Sequence, residues 1–296
     1  MASWPLTPQM WRCLPLKARP KETMATLQIT LLGCGKMGSA MLKGWLADPE
    51  LNAQFTIIEP YAEHLSWAGA QKQVTIFSDC DAAIAAGTPV SAVVVLAVKP
   101  QMMDEAIAAF GQLRDDKTAF LTIAAGISTS WLKARLGAHT PVLRAMPNTP
   151  ASIGKGVAAL YCDPALADLA ALATQLLRTI GAVVPIDDEA LMDAVTAVSG
   201  SGPAYVFLMA EAMTAAGVTA GLPAALAKQL AEATVTGAGA LIEAADEPPS
   251  TLRENVTSRG GTTAAALGVL MADDGLSSLM ERAVQAAKKR SVELGA

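Results

Sequence analysis

A glycine-rich segment near the start of the chain has the residue types and spacing of a phosphate-binding loop. Its pattern is G-x-G-x-x-G, formed by Gly33, Cys34, Gly35, Lys36, Met37 and Gly38. Directly after an apolar run and before a good helix start, such glycines permit a tight turn, approach of a pyrophosphate, and close packing of helix on strand. The segment predicts a dinucleotide site at a helix N-terminus, where free N–H groups and the helix dipole favour phosphate. The alternative is a purely structural turn.

Three further positions lie where an α/β sheet presents its ligand-binding edge. Glu59 ends the second predicted strand, where an acid accepts hydrogen bonds from an adenosine ribose diol and disfavours a 2′-phosphate. The fourth strand runs into Ala97-Val98-Lys99-Pro100, in which Lys99 either faces the cofactor or is a surface lysine. Asn148 follows the sixth strand, and its amide either serves the nicotinamide region or belongs to a simple turn. These residues leave the choice between NADH and NADPH open.

A second loop, Val256 to Leu267, combines two glycines with several hydroxyl residues before a predicted helix. Its central residues are Ser258, Arg259, Gly260, Gly261, Thr262 and Thr263. Exposed N–H groups at such a helix start form a concave anion site, which suits a small carboxylate. The alternative is an ordinary helix with Thr262 or Ser258 as N-cap.

The elements that must position these loops follow from the hydrophobic pattern. From Leu27 to about Pro185, β-branched runs alternate with helical segments, which predicts a doubly wound, mostly parallel sheet. The predicted strands are Gln28–Leu32, Phe55–Ile58, Val74–Phe77, Val93–Ala97, Ala119–Ile123, Val142–Ala145, Gly156–Tyr161 and Ala182–Ile186. We therefore expect a disordered extension over residues 1–23, a dinucleotide-binding domain over 24–186 and a helical domain over 187–296.

The helical domain has too much apolar surface for one chain. A helix is predicted from Pro203 to Gly217, and the segment Ala224 to Ala245 is apolar nearly all round. Such helices need burial on several sides. We expect subunits to pack through this domain as at least a homodimer.

Composition excludes several classes of protein. A net charge of −5 without any Lys/Arg stripe argues against nucleic-acid binding. The longest apolar run, Ala92 to Val98, is far shorter than the ~20 residues of a membrane helix. The four cysteines are scattered, as in a cytoplasmic protein with reduced thiols. His64 and His139 have no cluster of ligands around them, so we expect surface histidines and no metal site.

Taken together, the motifs resemble those of the pyrroline-5-carboxylate reductase family. They are G-C-G-K-M-G, A-V-K-P-Q, M-P-N-T-P, S-G-S-G-P-A-Y at Ser199 to Tyr205, and L-R-E-N-V-T-S-R-G-G-T-T at Leu252 to Thr263. The resemblance runs from about Met24 to the C-terminus. It implies a Rossmann domain, a helical dimerisation domain often assembled into larger rings, and reduction of 1-pyrroline-5-carboxylate to L-proline, the last step of proline synthesis. We expect NADPH as the cofactor, with NADH as the alternative.

The resemblance also implies roles for individual residues. Gly33, Gly35, Gly38, Lys99 and Asn148 match the family's cofactor side. The loop that holds the substrate carboxylate is matched by Ser258, Gly260, Gly261, Thr262 and Thr263, with the Thr263 hydroxyl near the imine nitrogen. Arg259 stands where many members have proline, but other members carry a basic residue there, so we expect activity to be retained.

The proton donor and the reaction class have alternatives. Between Asp187 and Glu281 the sequence has no histidine and a single lysine, Lys228, which suits an imine that takes its proton from water. Tyr205 and Glu211 are alternative donors. A β-hydroxyacid dehydrogenase would need a lysine within 187–217, where there is none, and a silent nucleotide-binding scaffold would not need the second loop.

Overall fold

The computed structural model describes residues 26–111 and 113–295, so the predicted N-terminal extension lies outside the described residues. The chain forms two compact units, of which one is Ala204–Ala283. The other contains the described residues up to Pro203 together with those from Val284 onward. The short helical turns between Asp187 and Pro203 belong to this larger unit, where Glu189 bonds to Arg144 and the Ser199 carbonyl to Asn148. The predicted domain boundary at residue 186 stays a prediction.

The larger unit is built on one eight-stranded sheet with the order β3-β2-β1-β4-β5-β6-β7-β8. Its strands are β1 Leu27–Leu32, β2 Ala53–Ile58, β3 Val74–Phe77, β4 Val93–Leu96, β5 Ala119–Thr122, β6 Val142–Met146, β7 Gly156–Cys162 and β8 Gly181–Ile186. The pairing of β6 with β7 is antiparallel, and every other pairing of these strands is parallel. The first six strands have the order of a dinucleotide-binding fold, whose reversal between β1 and β4 opens a crevice at their carboxyl ends. The predicted doubly wound, mostly parallel sheet is confirmed.

Helices cover both faces of this sheet. The helices of this unit are α1 Lys36–Ala47, α2 Ser66–Gly69, α3 Cys80–Ala85, α4 Met103–Ala108, α5 Thr129–Leu136, α6 Ala167–Arg178 and α7 Met192–Val195. Alternate strand residues separate two apolar clusters, as Val93 and Val95 contribute to one and Val94 and Leu96 to the other. The first cluster includes Trp45 of α1, whose Nε1 donates to the Leu176 carbonyl of α6 over 2.9 Å. Burial on both faces explains why these strands have continuous apolar sequences rather than alternating ones.

The smaller unit is helical. Helices α8 Gly202–Thr219, α9 Ala224–Ala244, α10 Pro249–Asn255 and α11 Thr262–Leu270 precede α12 Leu276–Gly295, whose last residues belong to the larger unit. Within the described chain, α8 and α11 have no buried residue, and α9 buries only Ala227 and Ala231. Large apolar side chains are exposed instead, among them Phe207, Leu208, Leu241, Ile242 and Val269. A face of this kind requires a covering partner.

Candidate active site

The glycine loop begins in a backbone conformation that only glycine adopts easily. Gly33 has φ +86°, and its N–H donates to the Ile58 carbonyl of β2 over 2.9 Å. A Cβ at this position would lie 2.8 Å from Val98 Cγ1 and 3.0 Å from the Ala97 carbonyl carbon. The turn from β1 into α1 is therefore packed directly against the end of β4.

Gly35 and Gly38 differ in what surrounds them. A Cβ at Gly38 would lie 2.6 Å from the Gly33 carbonyl oxygen, so this glycine allows α1 to pack on the turn. A Cβ at Gly35 would have no described atom within 4 Å. Gly35 is also the N-cap of α1. Among the described residues, no side chain caps this helix, and its first turn has no acidic residue. The open space before this helix terminus can accept an anion.

The Glu59 carboxylate accepts hydrogen bonds from two backbone N–H groups, one in the glycine loop and one just after β2. Its Oε2 accepts from the Cys34 N–H over 2.7 Å, and its Oε1 accepts from the Tyr61 N–H over 3.1 Å. The carboxylate thus fixes the glycine loop to the end of β2. Beside it, burial raises the pKa of the Cys34 thiol to about 11, so this cysteine stays protonated near neutral pH.

Part of the glycine loop, Glu59 and the segment that follows β4 line a cleft of about 410 Å³ at the carboxyl ends of the strands. Of the predicted cofactor residues, the cleft brings together Gly33, Gly35, Glu59, Ala97, Val98 and Lys99. Lys36, Met37, Gly38 and Pro100 are next to these in the chain but outside the lining, and Asn148 is also outside it. The volume and position suit part of a dinucleotide bound across the strand ends.

The cleft also contains residues that the sequence analysis did not assign to the cofactor, among them Tyr61, Ser78, Asp79, Met102 and Glu105. Asp79 is the N-cap of α3, and hydrogen bonds from the Ala82 N–H and the Ser78 hydroxyl lower the pKa of its carboxyl. Ser78 and Asp79 follow β3 as Glu59 follows β2. The rule that ligands bind at carboxyl ends of parallel strands could have found them.

Asn148 holds three elements together. Its Nδ2 donates to the Ser199 carbonyl over 3.1 Å, and its Oδ1 accepts from the Val157 N–H of β7 over 2.9 Å. Ser199 belongs to a π-helical turn, Thr196–Gly200, which follows α7. The side chain is buried, so it fixes the loop after β6, and its direct contact with a nicotinamide stays a prediction.

The second predicted loop lies in the helical unit. Gly260 has φ +71°, and Gly261 is the N-cap of α11, where the described residues supply no side-chain cap. Thr262 is exposed and Thr263 is half-buried in the first turn. The Gly261 N–H donates to the Ser258 carbonyl over 3.0 Å. The N–H groups of the first turn of α11 have no acceptor within the helix. The alternative, a side-chain cap by Thr262 or Ser258, is not formed among the described residues.

A doubly wound sheet with a glycine loop, an open helix terminus and an acid after β2 defines a dinucleotide-dependent oxidoreductase fold. Comparison with known proteins narrows this class. Residues 189–294 match the model "Pyrroline-5-carboxylate reductase dimerisation", and residues 28–126 match the model "NADP oxidoreductase coenzyme F420-dependent".

Relatives and solved structures agree with these matches. A pyrroline-5-carboxylate reductase of Pseudomonas aeruginosa is 39% identical, with 92% of this chain and 98% of the relative covered. The structure of a Coxiella burnetii pyrroline-5-carboxylate reductase superposes with a TM-score of 0.80 at 31% identity, covering 92% and 100% of the chains. A Plasmodium falciparum pyrroline carboxylate reductase with NADP bound has a TM-score of 0.75 at 25% identity, covering 91% and 98%. The chain belongs to the pyrroline-5-carboxylate reductase family.

Two further observations concern the molecule as a whole. The match to a dimerisation model, together with the exposed apolar faces of α8, α9 and α11, makes the chain a homo-oligomer. Among the described residues, no helix is long and apolar enough to cross a membrane, and no group of three or more metal-binding side chains occurs.

Proposed function

We propose that the chain reduces the C=N bond of 1-pyrroline-5-carboxylate to give L-proline, with NADPH as the hydride donor and NADH as its alternative. The observation that carries the proposal is the uncapped N-terminus of α11 after Gly260 and Gly261, in a chain whose other unit has a dinucleotide cleft. The P. falciparum pyrroline carboxylate reductase structure is described with NADP bound, which supports NADPH as the cofactor.

The residues of the cleft fit a dinucleotide. The open space at Gly35 would take the pyrophosphate, held by the first-turn N–H groups of Lys36, Met37 and Gly38. Glu59 would contact the adenosine ribose, and the segment Ala97-Val98-Lys99-Pro100 would border the nicotinamide, which supplies the hydride when bound. Asn148 would act by holding the loop after β6 in place.

The substrate carboxylate would bind at the start of α11. The N–H groups of Thr262 and Thr263 and the hydroxyl of Ser258 supply donors where the helix dipole favours an anion. The Thr263 hydroxyl would then donate or orient one hydrogen bond at the imine nitrogen. This arrangement catalyses mainly by positioning and electrostatics.

The reduction needs a hydride on carbon and a proton on nitrogen. An imine basic enough to arrive protonated, or to take a proton from water, needs no ionised base in the helical unit. Lys228, the single lysine between Asp187 and Glu281, pairs with Glu232 on the exposed face of α9. We therefore assign the proton to the substrate or to water.

An activity assay separates this proposal from the two alternatives. NADPH oxidation should depend on added pyrroline-5-carboxylate and yield proline. A β-hydroxyacid dehydrogenase would instead oxidise hydroxy acids with NADP⁺, and a silent scaffold would bind NADPH without any turnover. Either of those results would overturn the proposal.

We further propose an assembly larger than a dimer and a cytoplasmic reaction. The extent of exposed apolar surface on α8, α9 and α11 supports the first, because several faces of these helices need cover. Three free thiols, those of Cys34, Cys80 and Cys162, support a reducing compartment.

A further inference from the structure

The imidazole of His64 lies between two backbone carbonyl oxygens. Its Nε2 is 2.9 Å from the Cys34 oxygen, and its Nδ1 is 2.8 Å from the Tyr61 oxygen. A carbonyl oxygen only accepts hydrogen bonds, and a neutral imidazole has one N–H. Both contacts are hydrogen bonds only when the ring is an imidazolium.

This ring approaches the same loop residue as Glu59. The Cys34 N–H donates to Glu59, and the Cys34 carbonyl faces His64. The Glu59 carboxylate and the His64 imidazole, which both follow β2, therefore contact the same residue of the glycine loop, Cys34. The ribose 2′ position of a bound dinucleotide lies at this end of a Rossmann sheet.

We propose that His64 determines which dinucleotide the cleft prefers: its imidazolium offsets the Glu59 carboxylate and admits the 2′-phosphate of NADPH, whereas its neutral form leaves a site that favours NADH. The inference rests on the proposed function, because it concerns the cofactor of that reduction. It also explains how a chain with an acid after β2 can use NADPH.

The charges around the ring give the direction of the pH effect. The hydrogen bond to the Cys34 carbonyl, and then that to Tyr61 and the charges of Glu59 and Glu63, raise the pKa of His64 above its ordinary 6.5. Besides Glu59, the charged residues that line the cleft are Asp79, Glu105 and Lys99, and Lys36 lies on the loop. The contribution of His64 to the NADPH preference should therefore be present at pH 6 and decline as the pH rises through the raised pKa of His64.

The test is equilibrium binding of NADPH and NADH, followed by cofactor fluorescence without substrate. The sequence offers a matched control, because its only other histidine, His139, is also exposed. At pH 6 the ratio Kd(NADH)/Kd(NADPH) should be about fivefold lower in His64→Gln than in the wild type and in His139→Gln, as expected for one charge at ~4 Å in water. At pH 9 the three ratios should converge. Comparison at one pH cancels the ionisation of the 2′-phosphate itself, whose pKa is about 6.

A second variant separates charge from loop damage. In the His64→Gln background, Glu59→Gln should restore the NADPH preference at pH 6, because no carboxylate is left to offset. The single Gln oxygen still accepts from the Cys34 N–H, and only the hydrogen bond from the Tyr61 N–H is lost. Equal ratios in wild type and His64→Gln at pH 6, or a difference that persists at pH 9, would overturn the inference. Binding of both dinucleotides without turnover of pyrroline-5-carboxylate would overturn only the proposed function.

Discussion

Gly35 is the position in the glycine loop where a side chain should harm binding and spare the fold. An added Cβ meets no described atom there, whereas at Gly38 it would meet the Gly33 carbonyl oxygen. We predict that Gly35→Val still folds, with a slightly lower Tm because valine is a poorer N-cap than glycine. It should weaken NADPH binding by about ten- to a hundredfold, because overpacking a filled site costs roughly 1–3 kcal/mol. Fluorescence titration and a thermal melt measure the two quantities.

The matched control is Gly111→Val, at an exposed glycine whose Cβ would also meet open space among the described atoms. It should change neither quantity. Unchanged NADPH affinity in a folded Gly35→Val variant would show that the pyrophosphate does not bind at Gly35.

Thr263 and Thr262 are adjacent threonines with different expected contributions. Thr263→Ala keeps the backbone amide and the start of α11, but it removes the hydroxyl proposed at the imine nitrogen. Loss of a hydrogen bond to a charged partner, ~1.5–3 kcal/mol, corresponds to a fall in kcat of about ten- to a hundredfold. Steady-state kinetics should show this fall with little change in KM, and Thr262→Ala should do less. If Thr262→Ala is the more damaging, Thr263 does not have this role.

Among the secondary-structure elements, one buried ion pair joins β6 and α5 to the turn that follows β8. Glu189 accepts from Arg144 Nη1 over 3.0 Å and from the N–H and hydroxyl of Thr129. Glu189→Gln would leave the buried Arg144 without a compensating charge. We predict a loss of about 3 kcal/mol of stability, the low end for breaking a buried pair, because part of the Glu189 side chain is exposed.

The control for this prediction is the exposed pair of Arg290 and Glu293, whose Nη1 and Oε2 are 2.9 Å apart. Glu293→Gln should cost at most about 1 kcal/mol. Urea denaturation measures the free energy of unfolding of both variants. Equal destabilisation would show that the buried pair of Arg144 and Glu189 contributes no more than the exposed pair.

The sequence predicted the regular elements better than the contacts between them. The eight strands lie within two residues of their predicted bounds, because buried β-branched runs leave few alternatives. The helices predicted from Pro203 and from Ala224 are present as α8 and α9. The π-helical turn at Thr196–Gly200 was not predicted, since its register depends on packing with Asn148 rather than on a local pattern.

The same distinction applies to the candidate site. The spacing of the glycines predicted the loop from Gly33 to Gly38, because each glycine is required there for local steric reasons. The sequence predicts His64 to be a surface histidine, and its two hydrogen bonds to backbone carbonyls are not visible in any local pattern. Its exposure was predicted correctly. One partner, Tyr61, is only three residues away, but the other, Cys34, comes from a segment distant in the chain.

In the molecule as a whole, the exposed apolar helices dictate assembly. Phe207 and Leu208 of α8 are 60% and 62% exposed in the single chain. We predict that light scattering shows at least a dimer and that Phe207→Glu shifts the mass downward. Ile153→Glu is the control, because Ile153 is 76% exposed but lies in the other unit. A stable, monodisperse wild-type monomer at micromolar concentration would contradict the assembly.

The central claim is hydride transfer to the carbon of a ring imine, and isotope transfer tests it most directly. The enzyme is incubated with pyrroline-5-carboxylate and NADPH that carries deuterium on its transferable C4 position, and the product is analysed by mass spectrometry and NMR. We predict L-proline with a single deuterium, located on C5. Absence of proline, or proline without deuterium, would contradict the account.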